Sequence, residues 1–531
     1  MAKDRTTDFP GEAAGAVAEP PLTGHATRAA YEHSFFGHPR GLSTLFFTEM
    51  WERFGYYGMR ALLVLFMVQA ITDPNAGLGI SVHQAGAIYG LFAAFVYLLA
   101  LPGGWIADRI VGQRRAVLYG GILIALGYFG MALPWRLSFF LSLVVVVLGT
   151  GLLKPNISTM VGELYPDRSP VGSARRDAGF SIFYMGINLG AFFSPLVAGY
   201  IGQNISWHWG FASAGVGMTL GLLQYTFFGK YLGDAGMHPD VGTPEVLARN
   251  RRALVVGLAG MAVLAVLVLG VFHLTIAQIA ESAGYIILAI GLGYLAYIVL
   301  FGGLDTAEKK RVAVIGLLFL AAAVFWSGFE QAGSSLNLVA QQLTNLLIPV
   351  INWNMPASWL QSVNPLLIIA MAPVFAWLWV FLSKHKVEPP SAVKFGFGLL
   401  LLGAGFAVMM VATKGLLEGQ KISPLWLVLT YFLHTCGELS LSPVGLSTMT
   451  KLAPHRMVGQ MMGIWFMAAA LGNLMAGLIA STIGAGGAEA GAISAGAAHS
   501  AFVLVTEISL AAGLVMIFVS PWAKKLIGGA E

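Results

Sequence analysis

The sequence predicts an all-α polytopic membrane protein with fourteen transmembrane helices, and three observations carry that prediction. Of 531 residues, 57% are hydrophobic and only 10% charged, with a mean hydropathy of +0.75; a soluble chain carries about 25% charged residues. The apolar residues fall into runs long enough to span about 30 Å of hydrocarbon. The 30 Lys and Arg gather at the ends of those runs. That is the pattern of positive cytoplasmic loops, not of a nucleic-acid-binding face.

Taken in order, the first 36 residues are rich in Ala, Gly, Pro and Thr and lack an apolar core of signal-peptide length. They read as a disordered cytoplasmic tail. Spans follow near 41–70, 84–107, 115–134, 137–161, 178–200 and 207–230. After a polar stretch at 231–252 come 253–277, 283–303, 312–345, 360–383, 393–413, 424–450, 456–483 and 501–522, and then a short tail at 528–531. An even number of spans puts both termini on one side. With that side inside, the inner loops collect Arg109, Arg114, Arg115, Arg168, Lys309, Lys310, Lys524 and Lys525 among others. The outer loops keep only Arg136, Lys414 and Lys421. The lone cysteine, Cys436, excludes an internal disulfide and argues against a thiolate metal site.

Two internal echoes suggest duplication. Trp51-Glu52-Arg53-Phe54-Gly55 and Trp326-Ser327-Gly328-Phe329-Glu330 share W-x-x-F, and Pro155 to Pro166 repeats the separation of Pro443 to Pro454. With the seventh and eighth spans set aside, these pair first with seventh and fourth with tenth. Two parallel six-helix halves give that relation. The expected organisation is a bundle over 37–232, a linker with two extra helices over 233–308, and a second bundle over 309–527.

The first span carries charge where lipid is expected. Glu49, Arg53, Tyr56 and Arg60 are spaced four, three and four apart and form one stripe, with Glu52 and Tyr57 beside it. A charge at the bilayer centre costs roughly 3 kcal/mol on insertion scales, so such residues face a protein interior or a water-filled cavity. Lys154, Glu330 and Glu438 pose the same demand. Arg53, Arg60 and Lys154 belong to the first half, Glu330 and Glu438 to the second, so a cavity between them has walls of opposite sign. A ligand with a carboxylate at one end and an ammonium at the other fits that field. A Glu that meets cations in one conformation and loses them in another changes its protonation, which makes Glu49, Glu52 and Glu330 candidates for proton coupling. The loop GGWIADRIVGQRR, residues 103–115, is similar to a loop motif of the major facilitator superfamily, and gives Asp108 and Arg109 a conformational, gating role.

Four motifs resemble the proton-coupled oligopeptide transporter family of that superfamily. They are TEMWERFGYY (48–57), FYMGINLGAF (183–192, with Ala191 where Ser is usual), FWSGFEQ (325–331) and GELSLSPVGLS (437–447). The resemblance runs from about 40 to 525 and matches bacterial members with two extra helices. It implies a major facilitator fold in the plasma membrane, the bacterial inner membrane, importing di- and tripeptides with protons by alternating access. By motif position, Arg53 and Lys154 are implied to meet the peptide carboxylate. Asn188, Asn364 and Glu438 are implied to meet its amine and backbone. Tyr56, Tyr57, Tyr97 and Trp465 resemble aromatic walls, and Glu330 the gating and coupling carboxylate, with Arg60 its partner. Mammalian members couple through a His on the second helix; the span 84–107 has none, which leaves coupling to the carboxylates. The expected protein is a monomer with no cofactor beyond protons and no metal site.

Rival readings are a carrier of nitrate or another small anion, and a peptide sensor that does not concentrate its ligand. The retained E-x-x-E-R motif, with Lys154 and Glu438, argues against the anion carrier. The chain has no H-E-x-x-H pair, P-loop or G-x-S-x-G elbow, so no catalytic residue is assigned and an enzyme is not expected.

Overall fold

The computed structural model describes residues 35–166, 169–239, 243–416, 419–484 and 491–527. Most of the expected N-terminal tail, Arg168 and the tail at 528–531 lie outside these residues. The described chain forms fourteen helical rods. They are α1 Gly41–Val68, α2 Val82–Val111, α3 Gln113–Met131, α4 Arg136–Glu163, α5 Pro170–Asn204 and α6 Trp207–Phe228. Next come α7 Pro244–Val266 and α8 Ile276–Phe301. The last six are α9 Thr306–Gln342, α10 Ala357–Lys384, α11 Ser391–Thr413, α12 Pro424–Leu452, α13 Val458–Thr482 and α14 Ala495–Ile527. Nine of them are long and apolar enough by composition to cross a membrane; α1, with its four charges, is among the other five. A two-residue antiparallel hairpin, Leu347–Ile348 with Trp353–Asn354, departs from the all-helical expectation in the α9–α10 connection.

The packing repeats. In the first half α1 lies on α5 and α6, and α3 on α4 and α6; in the second, α9 lies on α13 and α14, and α11 on α12 and α14. The W-x-x-F echo becomes one ring geometry used twice. Trp51 meets Phe54 edge-to-face at 5.5 Å, and Trp326 meets Phe329 edge-to-face at 5.4 Å. The halves touch along α2 with α13 and α5 with α10.

The hydrogen bonds joining the halves gather toward the end where α1 finishes. Asn337 donates to the Ala61 carbonyl at 2.9 Å, Trp359 to that of Leu196 at 3.0 Å, and Ser362 to that of Phe192 at 2.7 Å. The inserted helices sit outside this closure. α8 rests on α2 and α13, whereas α7 has no buried residue.

Three local features position the site. α4 continues through Pro155; proline has no N–H, so the carbonyl four residues back loses its helical donor. α9 breaks at Glu330–Gly333 into a 3₁₀ turn before resuming at Ser335. α2 ends in a π-helical turn, Ala107–Val111, stopped by Gly112 at φ 84°. A side chain there would strain the backbone and strike the Met237 carbonyl.

Candidate functional site

The α1 stripe forms as its spacing requires. Arg53 Nε lies 2.8 Å from Glu49 Oε1 and 2.6 Å from Glu52 Oε2, all three buried. Two carboxylates share one guanidinium, so the trio is one charge negative unless a proton or a further cation joins it. The fork of Arg53 is not exhausted, because its Nη2 and Glu49 Oε2 are buried without a hydrogen-bond partner. Leaving such groups unpaired costs about 1–3 kcal/mol each, which is tolerated where a ligand completes the set.

Aromatic rings sit beside the cations. The Arg53 and Arg60 guanidinium carbons lie 5.6 Å and 5.8 Å from the rings of Tyr56 and Tyr57, which themselves meet edge-to-face. From α4, Lys154 Nζ sits 3.9 Å from the centre of the Tyr97 ring. Among the described residues Lys154 has no carboxylate at ion-pair distance, though it feels the charges of Glu49, Glu52, Arg53 and Glu330. Asn188 of α5 donates to the Tyr184 carbonyl at 2.9 Å.

The facing wall belongs to the second half. Asn364 donates to Thr435 Oγ1 at 2.9 Å and to Glu438 Oε2 at 3.3 Å, joining α10 to α12. Although it precedes Pro365, Asn364 ties two helices together here.

The halves are clamped by Arg60 and Glu330. Arg60 Nη2 donates to Glu330 Oε2 at 2.7 Å and to the Glu330 carbonyl at 3.4 Å. The 3₁₀ turn supplies that carbonyl, since an intact helix would engage it. Tyr89 completes the clamp, accepting from Arg60 Nε at 2.8 Å and donating to the same carbonyl at 3.3 Å. Gly333 permits the approach. A Cβ there would lie 2.3 Å from the Tyr89 hydroxyl and 2.5 Å from Arg60 Nε.

Three further expected residues make other contacts. Trp465 packs inside the second half, edge-on to Phe395 at 6.4 Å and against Gly445. Asp108 accepts from Gln113 at 3.2 Å, and the Arg109 carbonyl accepts from Asn250 of α7 at 3.4 Å. Neither joins an ion pair among the described residues. The sequence reading missed Tyr89 and Thr435, which carry no charge and sit in apolar runs.

A duplicated helical bundle, closed at one end by an ion pair between its halves and lined with unspent charges of both signs, defines a membrane transporter. Comparisons with known proteins narrow the class. The profile of the POT family (PTR2) matches residues 114–494. The peptide transporter YePEPT of Yersinia enterocolitica is 46% identical over 458 residues, covering 84% of this chain and 88% of that one. A di-/tripeptide transporter of Lactococcus lactis subsp. cremoris is 40% identical over 453 residues, covering 82% and 88%. The crystal structure of a peptide transporter POT in complex with sulfate superposes with a TM-score of 0.86 at 39% identity, covering 95% of this chain and 99% of that one. A POT family transporter in complex with 5-aminolevulinic acid gives 0.84 at 33% identity, covering 94% and 99%. The chain belongs to the POT family, within the major facilitator fold.

Proposed function

We propose that the protein is a proton-coupled symporter that imports di- and tripeptides by alternating access, holding the peptide between its two halves. The observation that carries this reading is the division of labour among the buried charges. On the first wall Arg53, held by its own helix's carboxylates, keeps a spare Nη2, and Lys154 has no carboxylate at ion-pair distance among the described residues; on the second Glu438 meets the neutral Asn364, while Arg60 and Glu330 pair with each other across the halves. A short peptide is a carboxylate and an ammonium held a fixed span apart, and these walls complement both ends. Asn188 and Asn364 supply amide groups for its backbone, and Tyr56, Tyr57 and Tyr97 its apolar surroundings. The names of the relatives support the substrate class.

Protons are the coupling ion, with no other cofactor. Protonating Glu330 removes its charge and frees Arg60, which weakens the clamp; Glu49 and Glu52, sharing one Arg53, are the second place where a proton alters the balance. The Lys and Arg at the end where α1 begins support a cytoplasmic position for that end. The protein is then a monomer in the bacterial inner membrane, with both termini inside, and the conformation described is closed outward. Asp108 and Arg109 act at the cytoplasmic end as part of the gate, and Trp465 is a further aromatic wall of the peptide cavity.

The test is uptake of labelled dialanine into proteoliposomes with and without an inward proton gradient. Gradient-dependent accumulation, inhibited by other dipeptides, is the expected result. Binding without accumulation would replace the symporter with a sensor. No binding by folded protein would replace the peptide with a small anion.

A further inference from the structure

Away from the charged walls, a cavity of about 450 Å³ opens among the ends of α10, α11, α12 and α14. By helix parity this is the end at which α1 begins. Its lining holds three lysines, Lys394, Lys451 and Lys524, against one carboxylate, Glu388. Lys394 is 7% exposed, lies 4.6 Å over the Trp379 ring and donates to Glu388 Oε1 at 2.5 Å. That hydrogen bond holds the Glu388 carboxyl below its usual range, so it stays ionised and cancels one lysine. Lys451 and Lys524 remain, with no carboxylate at ion-pair distance among the described residues. Hydroxyls of Ser391, Ser447 and Thr448 complete the wall. None of the residues placed in the peptide site contributes to it.

Point charges on flexible stems, with hydroxyls around them, suit a phosphate oxyanion. The depth of the cavity suggests the source. Trp377 and Trp522, on two of the same helix ends, are 63% and 54% exposed. Exposed tryptophans at helix ends mark the headgroup level of a bilayer. Basic pockets between helices on the cytoplasmic side take anionic headgroups, which concentrate in that leaflet. We propose that this cavity binds the phosphate of an anionic phospholipid of the cytoplasmic leaflet. The inference rests on the orientation given above and not on the peptide reading. A bound lipid would tie α10, α11, α12 and α14 together at their cytoplasmic ends, across the only described carboxylate–lysine pair of that wall.

The experiment follows the thermal unfolding of the purified full-length protein in detergent. It is titrated separately with dioleoyl phosphatidylglycerol, phosphatidylcholine of the same chains, and inorganic phosphate. Phosphatidylglycerol raises the midpoint; the other two leave it unchanged. Replacing Lys451→Ala together with Lys524→Ala raises the apparent dissociation constant for phosphatidylglycerol about thirtyfold, since each lysine near a phosphate is worth about a factor of five. Ser447→Asp, which adds a negative charge to the wall without removing a lysine, weakens it in the same direction and serves if the double variant does not fold. Equal stabilisation by phosphatidylcholine, or wild-type affinity in folded variants, overturns the site. Saturation of the shift by inorganic phosphate alone overturns the lipid and leaves a soluble phosphate in its place. Dialanine binding, measured on the same preparations, keeps this outcome separate from that of the symporter reading.

Discussion

Two arginines of α1 stand seven residues apart on one face, yet they are used in different ways. Arg53 is paired within its own helix, by Glu49 one turn earlier and by the adjacent Glu52. Arg60 is paired with Glu330, 270 positions away on the other half. The first arrangement is local, so it persists while the halves move, and it keeps Arg53 charged and aimed. The second exists only while the halves are closed. On the proposed reading, binding and closure are separated along a single helix by two turns. The contrast is one of sequence separation and not of length: the local pairing holds one helix's own charges, the distant one ties the two halves together.

Four perturbations break or sharpen that contrast, the largest first. Locking the closed end with Gly199→Cys and Ser358→Cys tests whether closure is obligatory. A Cβ at 199 lies 3.0 Å from Ser358 Cβ, near the roughly 3.5–4.5 Å that a disulfide spans. Oxidation stops dialanine uptake outright and reduction restores it; undiminished uptake in fully cross-linked protein would show that this end never opens. Arg53→Ala comes next, lowering uptake at least about a hundredfold, because its loss leaves two buried carboxylates without their cation. Arg53→Lys recovers only part of this, the fork being lost, and full recovery would reduce Arg53 to a neutralising charge.

Glu330→Gln separates the two roles. Gradient-driven accumulation disappears, while exchange of labelled for unlabelled peptide persists; loss of both would make Glu330 part of the anchor. The smallest effect belongs to Tyr89→Phe. One hydroxyl that contributes about 1 kcal/mol net is removed from the clamp, so uptake slows about fivefold while dialanine affinity stays put. A matching loss of affinity would place Tyr89 at the peptide.

Much of this was legible in the sequence, for a physical reason. Charges inside an apolar run are expensive, so Glu49, Glu52, Arg53, Arg60, Lys154, Glu330 and Glu438 announce themselves. Tyr89 does not, since a tyrosine amid GAIYGLF is indistinguishable from packing until its hydroxyl is seen on Arg60. The break in α9 is equally silent. FEQAGSSLNLV holds no proline, whereas Pro155, Pro195 and Pro443 lie inside unbroken helices. Helix ends also outran the apolar runs. α5 begins at 170 and not 178, because Ser169 caps it by accepting from the Gly172 amide at 3.1 Å, and hydrogen bonding tolerates the charged turn that hydropathy rejects.

The placement of α7 and α8 has an evolutionary consequence. The buried stripe of α8, Ala280, Ile287, Gly291, Leu295 and Ile298, recurs at steps of seven, four, four and three, so the helix docks through one narrow seam. Arg456 fastens its far end by donating to the Gly302 and Gly303 carbonyls at 2.9 and 2.8 Å. Every residue assigned to the peptide, the proton or the clamp lies on other helices. A descendant that shed α7 and α8 would keep that set, losing only the hydrogen bond from Asn250 to the Arg109 carbonyl. The insertion is a module, open to loss or replacement by selection without redesign of the carrier beneath it.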